Sequence, residues 1–313
     1  MILSMGEILI DLIVSDGEPS LATAGTFVAR EGGAPVNVAV ALARLGLPTG
    51  YCGVAGDDPF GHRLRERLAA QGVDTSRFRL TSDGATTLAF AWKDARGDGH
   101  FWLLRNADIQ LTHEDVDNAG IGALSALVVG SVSLADQPSR GSVEYAVGLA
   151  RDAAVPVVFD VNLRPTLWRN IVEAKVAIDG LAAQADLVKL SLDDARGLFG
   201  TEVSAERAID HMLALGARDV VLTDGERGCL FASRQNSSPT FVPAFLIDAI
   251  EPTGAGDAFT AALICRLVDS NWSSPVADDV RFAAAAGALA TTQPGAWQGL
   301  PSRDALTAFL ETR

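Results

Sequence analysis

A short segment in the C-terminal part of the chain places glycines and an acid directly before an apolar helix pattern. It reads Gly254-Ala255-Gly256-Asp257, and residues 258–267 after it are predominantly apolar. Backbone N–H groups at a helix start have no partner inside the helix, so together with the helix dipole they favour an anion such as a phosphate. Asp257 is placed to accept a proton, although aspartate also occurs at helix starts for capping alone.

A second glycine-rich segment lies near the N-terminus. Gly32 and Gly33 are followed by Ala-Pro-Val and then by Asn37. A glycine pair lets the backbone approach a ligand closely. An asparagine one turn into the following helix offers both a donor and an acceptor to hydroxyl groups. Taken alone, the segment is better explained as a glycine-rich turn with a helix cap than as a binding site.

Charge and cysteine content exclude several classes of protein. Lys and Arg number 25 against 39 Asp and Glu, a net charge of -14, which repels a nucleic-acid backbone but leaves room for a locally positive site for a small anion. The three cysteines are dispersed and indicate neither a disulfide framework nor a zinc site. The first residues lack the basic region of a signal peptide and no apolar run is long enough for a bilayer, so we expect a cytoplasmic protein without membrane contact.

The elements that must position these residues follow from hydrophobic periodicity. Short apolar runs alternate with helix patterns, which predicts βαβ units around a mostly parallel sheet. The predicted strands are residues 8–10, 50–54, 127–130, 155–160, 187–190 and 220–223. The predicted helices are residues 36–45, 60–70, 141–153 and 205–215. Residues 12–31 and 86–104 are strand-like without intervening helices, and the latter predicts a hairpin with a glycine-rich turn at 97–99.

Together, the two glycine-rich segments resemble the paired signatures of the PfkB family of carbohydrate kinases. Residues 32–56 match the first signature and residues 253–257 the second, in the expected order. Residues 56–61 are similar to the family's G-D-D-x-F-G segment, and residues 223–228 to its T-x-G-x-x-G segment. The resemblance covers the whole chain. It implies a ribokinase-like α/β fold, with a central mostly parallel sheet flanked by helices on both faces and a small β-sheet lid.

The resemblance also implies a division of the chain and a set of roles. The large domain comprises residues 1–11, 32–85 and 105–313, and the lid that closes over the sugar comprises residues 12–31 and 86–104. Asp257 resembles the base that accepts the proton of a sugar hydroxyl during transfer of the γ-phosphoryl group of ATP. The residues that resemble the anion hole are Gly254, Ala255 and Gly256. Those that resemble sugar contacts are Asp11, Gly32, Gly33, Asn37, Arg105 and Arg164. Those that resemble nucleotide contacts are Ser191, Thr223, Gly225, Gly228 and Gly256.

Two segments depart from the family pattern. Ser191 and Asp194 stand where relatives usually have the Asn and Glu of an Asn-x-x-Glu motif. The carboxylate is one methylene shorter but remains compatible with water-mediated binding of the Mg²⁺ that accompanies ATP. Glu251 stands where many relatives have Asp in a loop that binds a monovalent cation, which leaves activation by K⁺ open.

The choice of sugar rests on three segments. Residues 32–72 most resemble fructokinases, whereas residues 160–168 are similar to both fructokinases and 2-keto-3-deoxygluconate kinases. Leu103 and Leu104 occupy positions where the latter tend to have tyrosines. We expect phosphorylation of D-fructose to fructose 6-phosphate. The alternatives are a keto-acid or other PfkB sugar kinase, or an inactive sugar-binding regulator. ATP and a small sugar are the expected partners, and a homodimer through the lid is the expected assembly.

Overall fold

The computed structural model describes residues 1–96 and 99–313, which form two β-sheets and a set of flanking helices. The strands are β1 (Ile2–Met5), β2 (Leu9–Val14), β3 (Phe27–Gly32), β4 (Thr49–Gly56), β5 (Asp74–Thr81), β6 (Leu88–Lys93), β7 (Gly99–Leu104), β8 (Ala126–Gly130), β9 (Val157–Asp160), β10 (Leu187–Ser191), β11 (Asp219–Thr223), β12 (Cys229–Ser233) and β13 (Thr240–Val242). The helices are α1 (Ala34–Arg44), α2 (Pro59–Ala70), α3 (His113–Ala119), α4 (Ser139–Asp152), α5 (Ile171–Ala182), α6 (Leu192–Phe199), α7 (Ala205–Leu215), α8 (Ala255–Asp269), α9 (Ala277–Ala290) and α10 (Arg303–Glu311).

The larger sheet has the strand order β13-β12-β11-β10-β9-β8-β1-β4-β5. Along this order, each pair of neighbouring strands between β11 and β5 is parallel. Strands β12 and β13 complete the edge beside β11 in antiparallel pairs. Strands β1, β4, β8 and β9 are buried along their whole length, as expected for a sheet covered on both faces.

Helices cover both faces of this sheet, and each face has its own apolar core. One core joins the sheet to α1, α2, α8, α9 and α10, and the other joins it to α3, α4, α5, α6 and α7. These layers confirm the ribokinase-like α/β class that the sequence predicts. None of the helices in the described part of the chain combines the length and the apolar character that a membrane crossing requires.

The smaller sheet has the order β3-β2-β6-β7. Strand β2 pairs in antiparallel with β3 and in parallel with β6, and β6 pairs in antiparallel with β7. The hairpin of β6 and β7 agrees with the predicted one, and two of the three residues of its predicted turn, 97 and 98, lie outside the described residues. The division into a large domain and a lid stays a prediction.

The assignment of residues 8–10 to the central sheet is wrong. The N-terminal strand of the larger sheet is β1, whereas Leu9 and Ile10 belong to β2 of the smaller sheet. Gly6 separates the two strands with a φ of 148°, and a Cβ there would lie 2.8 Å from both Pro35 Cγ and Ser133 Oγ. Both strands are apolar, so periodicity cannot tell to which sheet each belongs.

Candidate active site

The start of helix α8 presents free backbone donors. Gly254 lies before it with a φ of 84°, and a Cβ there would come within 2.8 Å of the carbonyl oxygen of Ala296. The amide of Ala255 donates to the carbonyl of Pro252 at 3.1 Å. Within the described residues, the amides of Gly256 and Asp257 make no hydrogen bond, so they and the helix dipole can act on one anion. Ala255 is therefore the weakest of the predicted anion-hole donors.

Asp257, in the first turn of α8, is held by a side chain from α1. Asn37 Nδ2 donates to Asp257 Oδ2 at 2.8 Å, while Asn37 Oδ1 accepts from Trp297 Nε1 at 2.8 Å. The indole donor fixes which end of the Asn37 amide faces the acid. Burial, and after it the nearby Asp160 carboxylate, raise the pKa of Asp257 to about 6 against the hydrogen bond from Asn37. The carboxylate is thus a stronger base than an exposed one and is still ionised near neutral pH.

A buried lysine lies beneath the same turn. Lys189 Nζ forms an ion pair with both carboxylate oxygens of Asp160, at 3.1 and 3.2 Å. Thr260, in α8, donates to Asp160 at 2.8 Å. A Cβ at Gly256 would lie 2.9 Å from Lys189 Nζ, so the glycine lets the turn approach the ammonium group.

Sequence reasoning gave this lysine no role. Burial lowers the pKa of Lys189, but the carboxylates of Asp160, Asp194 and Asp257 outweigh it, and the pKa is raised. The ammonium group therefore stays charged and adds positive potential below the free amides. The available signal was a lysine inside an otherwise apolar strand, since a buried lysine needs a partner.

The smaller sheet carries two of the predicted sugar contacts, Asp11 and Gly32. Asp11 lies on β2, and a Cβ at Gly32 would lie only 2.2 Å from its carboxylate, so glycine is needed there. Gly33 caps the start of α1 with a φ of 115°, where a Cβ would meet the carbonyl of Glu7 at 2.6 Å. Burial, and after it Glu251, raise the pKa of Asp11 to about 7 against the charge of Arg164.

The two predicted arginines differ in their surroundings. The charge of Arg164 lowers the pKa of both Asp11 and Asp257, and its Nη1 donates to the carbonyl of Leu163. Arg105 is instead buried and bonded to Asp108, Asp136 and the carbonyl of Val132. The charge of Arg164, and not that of Arg105, therefore acts on Asp257. A sugar role for Arg105 stays a prediction that requires it to exchange a partner.

The predicted nucleotide contacts lie at neighbouring strand ends. Ser191 and Thr223 are partners in the register of β10 and β11. Gly225 has a φ of 53° in the short turn that follows, and a Cβ at Gly228 would lie 2.3 Å from the carbonyl of Val242. Ser191 and Thr223 lie side by side at the start of α6, whereas Gly228 is buried, and contact of these positions with a nucleotide stays a prediction.

The predicted metal residues have other partners in this structure. Asp194 forms a capping box with Ser191 at the start of α6 and also accepts from the amide of Leu163 at 2.7 Å. Glu251 accepts from the amide of Gly295 at 3.0 Å. Among the described residues, no three acidic, histidine or cysteine side chains form a metal cluster. Both carboxylate oxygens of Asp194 therefore already accept hydrogen bonds, and binding of the Mg²⁺ that accompanies ATP by Asp194 stays a prediction.

Comparison with known proteins identifies the family of this chain. The model of the pfkB family of carbohydrate kinases matches residues 1–303. The chain is 33% identical to Fructokinase-1 of Oryza sativa subsp. japonica, over 100% of this chain and 98% of that protein.

Two solved structures extend the comparison to three dimensions. A fructokinase double mutant from Vibrio cholerae, with fructose, ADP and potassium ion bound, superposes with a TM-score of 0.85 at 33% identity, covering 99% of this chain and 97% of that one. A sugar kinase from Pyrococcus horikoshii in complex with ATP gives a TM-score of 0.86 at 31% identity, covering 97% and 96%. The protein therefore belongs to the PfkB family of carbohydrate kinases and is an ATP-dependent sugar kinase.

Proposed function

We propose that the protein transfers the γ-phosphoryl group of ATP to a hydroxyl of D-fructose, giving fructose 6-phosphate. The observation that carries this proposal is the Asp257 carboxylate, fixed by Asn37 beside free amides at the start of α8. A base and an anion site are thereby adjacent. Phosphoryl transfer depends mainly on positioning and electrostatic stabilisation, which this arrangement supplies.

The proposed reaction uses each group once. The free carboxylate oxygen of Asp257 accepts the proton of the attacking hydroxyl as its oxygen bonds to the γ-phosphorus and the bond to ADP breaks. The amides of Gly256 and Asp257, with Lys189 beneath them, stabilise the charge of the transferred group. Mg²⁺, when bound with ATP, neutralises phosphate charge. Asp11 and Asn37 orient the sugar, and closure of the smaller sheet excludes water that would hydrolyse ATP.

This assignment predicts a pH profile. Because Asp257 must be ionised to accept a proton, kcat/KM should rise with pH through about 6. The hydrogen bond from Asn37 stabilises the ionised carboxylate and lowers its pKa. Asn37→Ala removes this bond and should therefore move the midpoint to higher pH. The measurement is initial rate against pH at saturating ATP. A profile that is flat between pH 5 and 8, or a midpoint that moves down in Asn37→Ala, would contradict the role of Asp257.

Fructose is preferred to a keto acid because of the surface beside Asp11. Leu103 pairs with Ala89, and Ala89 with Asp11, so the three share one face of the smaller sheet. Ala89 and Leu103 thereby place an apolar wall without hydroxyls beside Asp11. The similarity to fructokinases supports the same sugar. Arg164, near Asp257, favours 2-keto-3-deoxygluconate as second candidate, because a guanidinium binds a carboxylate well.

A substrate panel tests the proposal. ADP release is measured with ATP, Mg²⁺ and, in turn, fructose, ribose, adenosine and 2-keto-3-deoxygluconate, with Asp257→Asn as the blank. Fructose should give the highest kcat/KM. Preference for the keto acid would overturn the choice of sugar, and tight sugar binding without turnover would indicate a regulator. Repeating the assay with K⁺ replaced by Na⁺ tests whether Glu251 retains a monovalent-cation site.

We also propose a homodimer through the smaller sheet. The face opposite Asp11 carries Phe27, Phe90, Trp102 and Leu104, of which Trp102 and Leu104 are 52% and 51% exposed. Such an apolar face on a β-sheet favours association.

Trp102→Glu is therefore expected to convert a dimer into a monomer, because it buries a charge in the proposed interface. Light scattering measures the mass of both proteins. Phe241→Glu is the matched control, since Phe241 is 59% exposed on β13 at the edge of the larger sheet and should leave the mass unchanged. A monomeric wild type, or an unaltered mass in Trp102→Glu, would refute the interface.

A further inference from the structure

A basic groove lies between β3, α2 and the loop that contains Trp297. Its volume is about 270 Å³. Four arginines and a single acid, Glu31, line it; the arginines are Arg30, Arg44, Arg63 and Arg67. This local excess of positive charge occurs on a chain whose net charge is -14. It creates a potential that attracts anions to this one place.

Most of the guanidinium donors in the groove are free. Among residues 1–96 and 99–313, Arg30 makes no hydrogen bond or ion pair. Arg67 approaches Glu31 only through Nε, at 3.7 Å. Arg63 uses Nε for Glu31 and Nη2 for the carbonyl of Ala29, which leaves Nη1. The carboxylate of Glu31 therefore does not neutralise the three guanidinium groups around it, which leaves a net positive charge in the groove.

Arg44 is the most confined of these cations. Its Nη1 donates to the carbonyls of Trp297 and Leu300, and its Nε and Nη2 donate to Gln71 Oε1. All of these acceptors are neutral. Burial lowers the pKa of Arg44. A partly desolvated guanidinium without a carboxylate leaves positive charge uncompensated, and an anion in the groove would supply the missing charge.

We propose that this groove binds a small phosphate monoester and that its occupancy acts on Asp257. Guanidinium groups match phosphate oxygens in pairs of parallel hydrogen bonds. The volume lies just below the usual range for small-molecule sites, which suits a phosphorylated metabolite of a few carbons better than a nucleotide.

The link to Asp257 passes through residues already described. Arg44 binds the carbonyl of Trp297, and the indole of Trp297 holds Asn37. Asn37 in turn donates to the carboxylate of Asp257. An anion that draws the Arg44 guanidinium toward the groove would alter the position of the indole, and hence the hydrogen bond on the acid. This second half of the proposal rests on the proposed function, whereas binding does not.

Calorimetric titration of the full chain tests the site, with inorganic phosphate and glycerol 3-phosphate as probes. The double variant Arg30→Gln/Arg67→Gln should weaken binding of glycerol 3-phosphate by about 100-fold, because each lost charge-assisted contact costs about tenfold. Arg65→Gln is the matched control: Arg65 lies on α2 between the groove arginines, and its recorded contact is His62. It should bind as the wild type does. The monoester should bind more tightly than inorganic phosphate.

The outcomes separate the groove from the kinase site. Equal affinity in the double variant, or loss of binding only in Arg164→Gln, would overturn the proposal, since the anion would then occupy the start of α8. Tighter binding of inorganic phosphate would overturn the choice of a monoester. Glycerol 3-phosphate should change kcat of the wild type at least twofold and leave kcat of the double variant unchanged; binding without such a change would overturn the coupling. A protein that binds the probe in the groove but phosphorylates no sugar would refute the proposed function alone.

Discussion

Asp257→Asn is expected to lower kcat by about 10²–10⁴-fold, the range over which a positioned general base contributes. Asparagine keeps the shape of the side chain and can still accept from Asn37, but it cannot take up the proton of the attacking hydroxyl. The amides at the start of α8 are unchanged, so the Kd for ATP should change little. Initial rates and nucleotide titrations measure the two effects separately.

Asp193→Asn is the matched control for that substitution. Asp193 is also an acid in the first turn of a helix, α6, but its side chain is 92% exposed. The same chemical change there should leave kcat near the wild-type value. A kcat for Asp257→Asn within about tenfold of the wild type would assign proton transfer to another group.

Lys189→Met is expected to lower the free energy of unfolding by about 3–5 kcal/mol, because it leaves the buried Asp160 carboxylate without its partner. Urea denaturation measures the loss. Lys175→Met is the control: Lys175 pairs with Asp179 at a partly exposed position, where an ion pair contributes about 1 kcal/mol or less. Equal losses of unfolding free energy in the two variants would show that the ion pair of Lys189 and Asp160 contributes no more than an exposed one.

A double variant separates stability from catalysis at this pair. In Lys189→Met/Asp160→Asn the buried charge is gone, so part of the stability should return. The positive charge beneath the anion site is gone in both the single and the double variant, so kcat should be low in each. Recovery of both stability and kcat would limit Lys189 to a structural role.

Local sequence signals predicted the parts of the site that depend on nearby residues. The glycines before α1 and α8 mark backbone conformations that a side chain would prevent, and these are visible in the sequence. The bond between Asn37 and Asp257 joins residues 220 positions apart, so only the tertiary packing of α1 against α8 reveals it. The same holds for Lys189 and Asp160, which meet because β9 and β10 are neighbours.

The sequence was less informative where one residue type serves two purposes. An acid at the third position of a helix can cap its own backbone or bind a metal, and Asp194 caps α6 in this structure. An arginine after a strand can face a ligand or a carboxylate, and Arg105 faces carboxylates. Strand periodicity likewise does not state which sheet a strand joins, which is why residues 8–10 were misplaced.

The order of strands in the larger sheet has a consequence for how this enzyme can change its sugar. Strand β1 lies between β4 and β8. Strand β5 follows β4 at one edge of the sheet, and the strands from β9 to β13 follow β8 in sequence toward the other edge. In parallel sheets such a reversal opens a crevice at the carboxyl ends of the strands. The chain leaves β1 at this crevice and enters the smaller sheet, so the topology itself would locate the proposed sugar pocket here, whatever residues line it. With the sugar proposed to bind here, we expect substitutions in the segments after β1, β4 and β8 to alter the acceptor, while α8 retains its proposed role in phosphoryl transfer.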